Sequence, residues 1–171
     1  MLFCSNAGAD AAKLSQQDGR DCMLVIVDMQ DRYPASRCRK VRQAVANEIT
    51  TAKAKGWWVV VLEFGGTCPH VPTHSELSSL LLNCDRCSEP LIKNEPDGSR
   101  LVKSFCRQRL LNPKRIRVCG VNIGACVHAT VDGLIAEFGQ AVVEVVKKAC
   151  NCTSPAESWQ HFMKHPRVWI V

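Results

Sequence analysis

The chain has 171 residues, 46% hydrophobic and 22% charged, with a formal net charge of +6. That length suits one domain with a substantial buried core, and the composition excludes a disordered or fibrous chain. The longest apolar stretch, around Trp57 to Phe64, carries Glu63 and is far too short to cross a bilayer, so no membrane partner is expected.

Residues 1–20 are polar and patternless and are expected to form a flexible arm; residues 21–171 carry the domain. The arm lacks the basic start and long apolar run of an export signal, which makes a cytoplasmic location the expectation. The chain then opens an apolar run, Cys22 to Val27, closed by Asp28, which predicts a strand buried on both faces. Val41, Val45, Ile49 and Ala52 recur at helical spacing between about Ser36 and Lys55, with Gly56 suited to the position after the last turn. A second buried strand covers Trp57 to Phe64 and ends near Glu63. A loop rich in turn residues leads to a short helix from Ser75, and Pro90 to Asn94 predicts a third, short strand.

Ser99 is expected to cap a helix running to about Leu111, stopped by Asn112-Pro113. Arg115 to Val121 is the fourth strand. Residues 122–139 read as a loop entering a helix with Val127, Val131, Leu134, Ile135 and Phe138 on one face. Gln140 to Ala149 is the fifth strand. Ser154, Pro155 and Glu157 form a capping-box helix start, and Arg167 to Val171 is the sixth strand. Strands alternating with helices predict an α/β fold with a parallel sheet covered on both faces.

In such sheets sites gather beyond the carboxyl ends of the strands. Asp28, Glu63, Lys93 and Cys126 all fall at that edge. A cysteine at a helix N-terminus is expected to gain thiolate character from the helix dipole, and a nearby lysine to add to it. An aspartate within reach can take the thiol proton and later activate water. This set suits attack on a carbonyl carbon.

The stretches VIVDMQDRY (25–33), LIK (91–93) and CGVNIGACVHATV (119–131) resemble the three motifs of the isochorismatase-like cysteine hydrolases, which include nicotinamidases and carbamoylsarcosine amidohydrolase. The resemblance spans about residues 22–171. It implies a three-layer α/β/α sandwich, Rossmann-like, around a six-stranded parallel sheet, and cleavage of a non-peptide C–N bond through a thioester. It implies Asp28 as general acid/base, Lys93 as the orienting lysine and Cys126 as nucleophile. It also implies a cis Val121–Asn122 bond, with the N–H groups of Asn122 and Cys126 holding the oxyanion. The family's habit of forming larger assemblies implies a homo-oligomer acting on a small-molecule substrate.

Several positions depart from the family pattern. Lys103 competes with Lys93 for the lysine role, but Lys93 ends an apolar run whereas Lys103 falls inside a helical pattern. Nicotinamidases carry Asp-x-His and a further His after the second strand to bind a metal; Glu63 and Gly65 stand there instead, so no metal and no cofactor is expected at the site. Tyr33, Glu63, Phe64 and His74 are candidates for shaping the substrate pocket, although Glu63 suits structural pairing equally well. His70, His74, Cys84 and Cys87 have zinc-like ligand types but match no common finger spacing. Most of the eleven cysteines read as reduced, buried packing. The basic run Arg37 to Arg42 has no interleaved aromatic residues, so it reads as a solvated helix face and no nucleic-acid partner is expected. A non-catalytic binding module on the same fold is the alternative to a hydrolase.

Overall fold

The computed structural model describes residue 19 and residues 21–66, 69–153 and 159–171. The expected arm, apart from Gly19, and the expected helix start at Ser154 lie outside these described residues.

Six strands form the centre: β1 (Cys22–Val27), β2 (Trp58–Phe64), β3 (Leu91–Lys93), β4 (Arg115–Val121), β5 (Val142–Asn151) and β6 (Val168–Ile170). Every neighbouring pair is parallel, in the order β3-β2-β1-β4-β5-β6. Among the described residues four α-helices join them: α1 (Arg39–Ala54), α2 (Ser75–Leu81), α3 (Ser99–Gln108) and α4 (His128–Glu137). The chain builds outward from β1 to β3, crosses back to β4 and builds outward again. The reversal therefore falls between β1 and β4, where such sheets bind ligands.

The alternation of side chains along β2 shows how the sheet is covered. Trp58 meets Phe105 of α3 edge to face, and Leu62 packs under Gly98 at the start of α3. Val61 points the other way and shares a cavity wall with Leu81 of α2. On that second face α1 buries Val41, Val45, Ile49 and Ala52, the residues its periodicity picks out. Arg117 of β4 pins α1 to the sheet, bonding both oxygens of Glu48 at 2.9 and 3.0 Å and Glu144 of β5 at 2.7 Å. The result is a three-layer sandwich, and Met23 to Val27 of β1, under both helical layers, are 1% exposed or less.

The helix boundaries depart from the sequence reading for local reasons. Pro34–Arg37 makes a 3-10 turn and Cys38 is extended, so α1 starts at Arg39 rather than Ser36. The Ser36 hydroxyl instead donates to Gln30 O at 2.6 Å, tying that turn to the end of β1. Ser99 is the first residue of α3, not its cap. Its N–H and hydroxyl both donate to the Asp97 carboxylate, at 2.7 and 2.9 Å. The helix stops at Gln108 because Leu110 turns left-handed, with φ of 54°. Gly56, with φ of 64°, ends α1 as its spacing predicts. No helix among the described residues is long and apolar enough to cross a membrane.

Candidate active site

The site lies where β1, β3 and β4 end. Asp28 follows β1 with φ of 50°, a left-handed conformation that an aspartate adopts more readily than most residues. Gly120 sits beside it in β4, in register with Val27. A side chain at Gly120 has no room, because an added Cβ collides with the Val27 carbonyl. With φ of 127° the position also favours glycine. This close approach lets the chain leaving β4 run past Asp28.

Beyond β4 the Val121–Asn122 peptide is cis, at the bond the resemblance singled out. Ile123–Val127 then forms a π-helical turn, with Val127 N–H donating to Asn122 O at 3.1 Å, and runs straight into α4. Cys126 belongs to this wide turn rather than to the first turn of a regular α-helix. Such turns recur at functional sites because they push a side chain off the regular helical face. The thiol is half-buried.

Lys93 is 3% exposed. Its ammonium lies 2.9 Å from Asp28 Oδ2, donates to Glu95 O and Pro96 O at 3.2 Å each, and sits 4.9 Å from the centre of the Phe64 ring. Lys103 is elsewhere: it donates to Glu137 O at 2.7 Å, at the end of α4. The structure thus brings Asp28, Lys93 and Cys126 together and leaves Lys103 out. The Asp28 side chain is 1% exposed, and the groups that meet its carboxylate are the Lys93 ammonium and the Cys126 thiol.

Burial raises the Asp28 pKa above its ordinary 3.8, against the opposing pull of Lys93, Cys126 and Arg32. Burial and the Asp28 charge push the Cys126 thiol up to about 11, outweighing Lys93. Lys93 favours the thiolate as expected, but burial and Asp28 outweigh it, so the net direction is the reverse of the expectation and the thiol rests protonated beside a strengthened base. Cys106 is likewise pushed up to about 11 and Cys150 to about 12 by burial. What separates Cys126 from those two is access and its neighbours, not ease of ionisation.

The pocket candidates divide. Tyr33 is half-buried beside the site; burial and the charges of Asp28 and Cys126 push its phenol up to about 12, while Arg32 opposes them. Phe64 packs on Lys93. Glu63 and His74 serve the loop instead. The buried Glu63 carboxylate takes a contact from His70 Nε2 and the N–H of Thr73, both at 2.7 Å. His74 Nε2 lies 2.9 Å from Ser36 Oγ, and burial, helped by Arg42, lowers its pKa. Cys84 and Cys87 are joined as a disulfide, so they fall outside the reduced majority and do not present free thiolates to a metal. Among the described residues they do not gather with His70 and His74 into one ligand set.

Two supporting residues escaped the sequence reading. Gln30 is fully buried; its amide donates to Phe64 O at 3.1 Å and Val71 O at 2.5 Å and accepts from Phe64 N–H at 2.8 Å. It fixes the end of β2 against the loop beyond. Thr130 Oγ1, one turn after Cys126, accepts from Gly98 N–H at 3.1 Å, tying α4 to the loop whose carbonyls hold Lys93. Both stand inside the quoted motifs, and that position was the available signal. A cavity of about 570 Å³ between Val61, Leu81, Cys84 and Pro90 contains none of the three central residues.

No protein-family model matches the chain, and no curated protein matches it. Solved structures do. The nicotinamidase of Staphylococcus aureus superposes with a TM-score of 0.71 at 14% identity, covering 88% of this chain and 99% of that one. The YcaC gene product of Escherichia coli, an octameric hydrolase of unknown specificity, gives 0.72 at 17%, covering 90% and 76%. The MAR1 ribonuclease of Caenorhabditis elegans gives 0.71 at 15%, covering 86% and 73%. The chain has the isochorismatase-like fold that its motifs suggested, and identities this low establish the fold alone.

Proposed function

We propose that the protein is a cysteine hydrolase that cleaves a non-peptide C–N bond of a small molecule. The observation that carries this reading is the buried Asp28 carboxylate, ion-paired to Lys93 at 2.9 Å and in hydrogen-bond reach of the half-buried Cys126 thiol. Because the thiol rests protonated, proton transfer to Asp28 accompanies attack rather than preceding it. The Cys126 sulfur bonds to the substrate carbonyl carbon while its proton passes to Asp28. The carbonyl electrons move onto oxygen, where the N–H groups of Asn122 and Cys126 receive them. Collapse of this adduct breaks the C–N bond, and the amine leaves with the proton from Asp28. Water, deprotonated by Asp28, then attacks the thioester, releasing the acid and restoring the thiol. Lys93 holds the carboxylate in place and balances the charge as it forms. Tyr33, near Asp28 and Cys126, and Phe64, against Lys93, are the residues we assign to shaping the substrate pocket, and Glu63 and His74 brace the neighbouring loop.

The nicotinamidase among the similar folds supports an amide-type substrate, and the octameric hydrolase supports self-association. The test is ammonia or amine release from a panel of small amides, ureas and hydroxamates. Cys126→Ala should lose activity by at least about a thousandfold while its melting temperature stays within about 2 °C of the parent. Full activity in Cys126→Ala rejects the mechanism. Absence of turnover across the panel favours the non-catalytic module, and the ribonuclease fold likeness makes RNA the natural control substrate.

A further inference from the structure

One cluster outside the candidate active site has ligand chemistry of its own. His128 and Asp132 stand one turn apart on α4, and His161 approaches them from just before the 3-10 turn Phe162–Lys164. His128 Nε2 lies 3.3 Å from Asp132 Oδ2, and His161 Nε2 lies 3.2 Å from Asp132 Oδ1. The two imidazole rings are 3.6 Å apart between centres, at 72°. His128 Nε2 is shielded from solvent yet has no well-formed hydrogen bond. Phe162, 1% exposed, packs against both rings at 5.8 and 6.0 Å and fixes their orientation.

We propose that His128, Asp132 and His161 form a binding site for a zinc-type divalent transition-metal ion. Zinc bonds imidazole nitrogen and carboxylate oxygen at about 2.0–2.2 Å, and a tetrahedron of that size has edges of about 3.3–3.5 Å. The two nitrogen–oxygen separations, 3.3 and 3.2 Å, are close to such an edge but run to opposite oxygens of Asp132, Oδ2 and Oδ1, so ligation through one oxygen requires the carboxylate to turn. All three donors lie within 4.8 Å of one another, so closure on one ion needs only small side-chain shifts. Two imidazoles and one carboxylate, with no thiolate, suit zinc, cobalt, nickel or copper rather than magnesium or calcium. Without an ion, two imidazoles set edge to face share one carboxylate. Asp132 and His161 are each about half exposed, so an entry path exists and a fourth position faces water. The bound ion joins α4, directly after the Cys126 turn, to the segment leading into β6. It shares no ligand with the Asp28, Lys93 and Cys126 group.

The test uses the full chain, reduced and stripped with chelator, titrated with zinc and with cobalt. Wild type should retain one equivalent at this site, melt at a higher temperature with zinc, and give a cobalt spectrum without a thiolate charge-transfer band. Asp132→Asn and His161→Asn should each weaken binding at least about tenfold and lose the thermal shift. These positions are half exposed, so both variants should keep the parent's circular dichroism. Unchanged affinity in both variants overturns the site. So does a spectrum dominated by thiolate ligation, which points to the cysteines, or a wild type that binds no ion.

Discussion

Burial and the Asp28 carboxylate both keep the Cys126 thiol protonated at neutral pH, and the same burial makes Asp28 a stronger base than an ordinary aspartate. The reactive form of the proposed pair needs Asp28 ionised. Its raised pKa therefore predicts an acid limb in kcat/KM centred above pH 3.8, and Asp28→Asn should remove the limb with the activity. A limb at or below 3.8 contradicts the assignment. Stability follows the same linkage with the opposite benefit. A carboxyl whose folded pKa is raised stabilises the fold at low pH, and that contribution is lost as pH rises through the folded value. At neutral pH the charged, buried Asp28 is a cost to stability, offset in part by Lys93. Sequence reasoning placed these residues at one edge but misjudged the direction of the thiol shift. Helix position and charge type are local properties, whereas desolvation depends on what the rest of the chain stacks over the site.

At the scale of elements, the end of β4 decides the geometry. Gly120 lets β4 close on β1, and the π-helical turn after it carries Cys126. Gly120→Ala should lower stability by about 3 kcal/mol, because it combines a disfavoured φ with a collision against the Val27 carbonyl. For a chain of this size that corresponds to a melting point about 10 °C lower in a thermal scan. A variant that melts like the parent shows that the close approach is dispensable. Helix and strand cores were legible because their periodicities are strong, as Val41, Val45, Ile49 and Ala52 illustrate. Boundaries were less so. Ser99 has the residue type of a cap, but Asp97 captured its N–H, and Ser36 was drawn to Gln30 instead of starting α1. Two polar residues near one helix start compete for the same donors, and only the folded chain picks the winner.

Across the whole molecule, the strand order puts the carboxyl ends of β1 and β4 side by side at the point of reversal. Asp28 and Cys126 meet there although 97 residues separate them in the chain. Self-association, part of the proposed function, predicts a particle heavier than the 18.9 kDa chain in light scattering after size exclusion. A monomer at all working concentrations removes that part of the proposal. The sequence by itself determined the class of fold, the six strands and the placing of Asp28 and Cys126 at one sheet edge, because these rest on hydrophobic period and on motifs contiguous in the chain. The tertiary structure alone decided that Lys93 rather than Lys103 meets Asp28, that Glu63 braces a loop, that Cys84 pairs with Cys87, and that His161 joins His128 and Asp132. Lys93 and His161 depend on which distant segments share a space, and the Glu63 and Cys84 contacts on how their loops fold; no period encodes either.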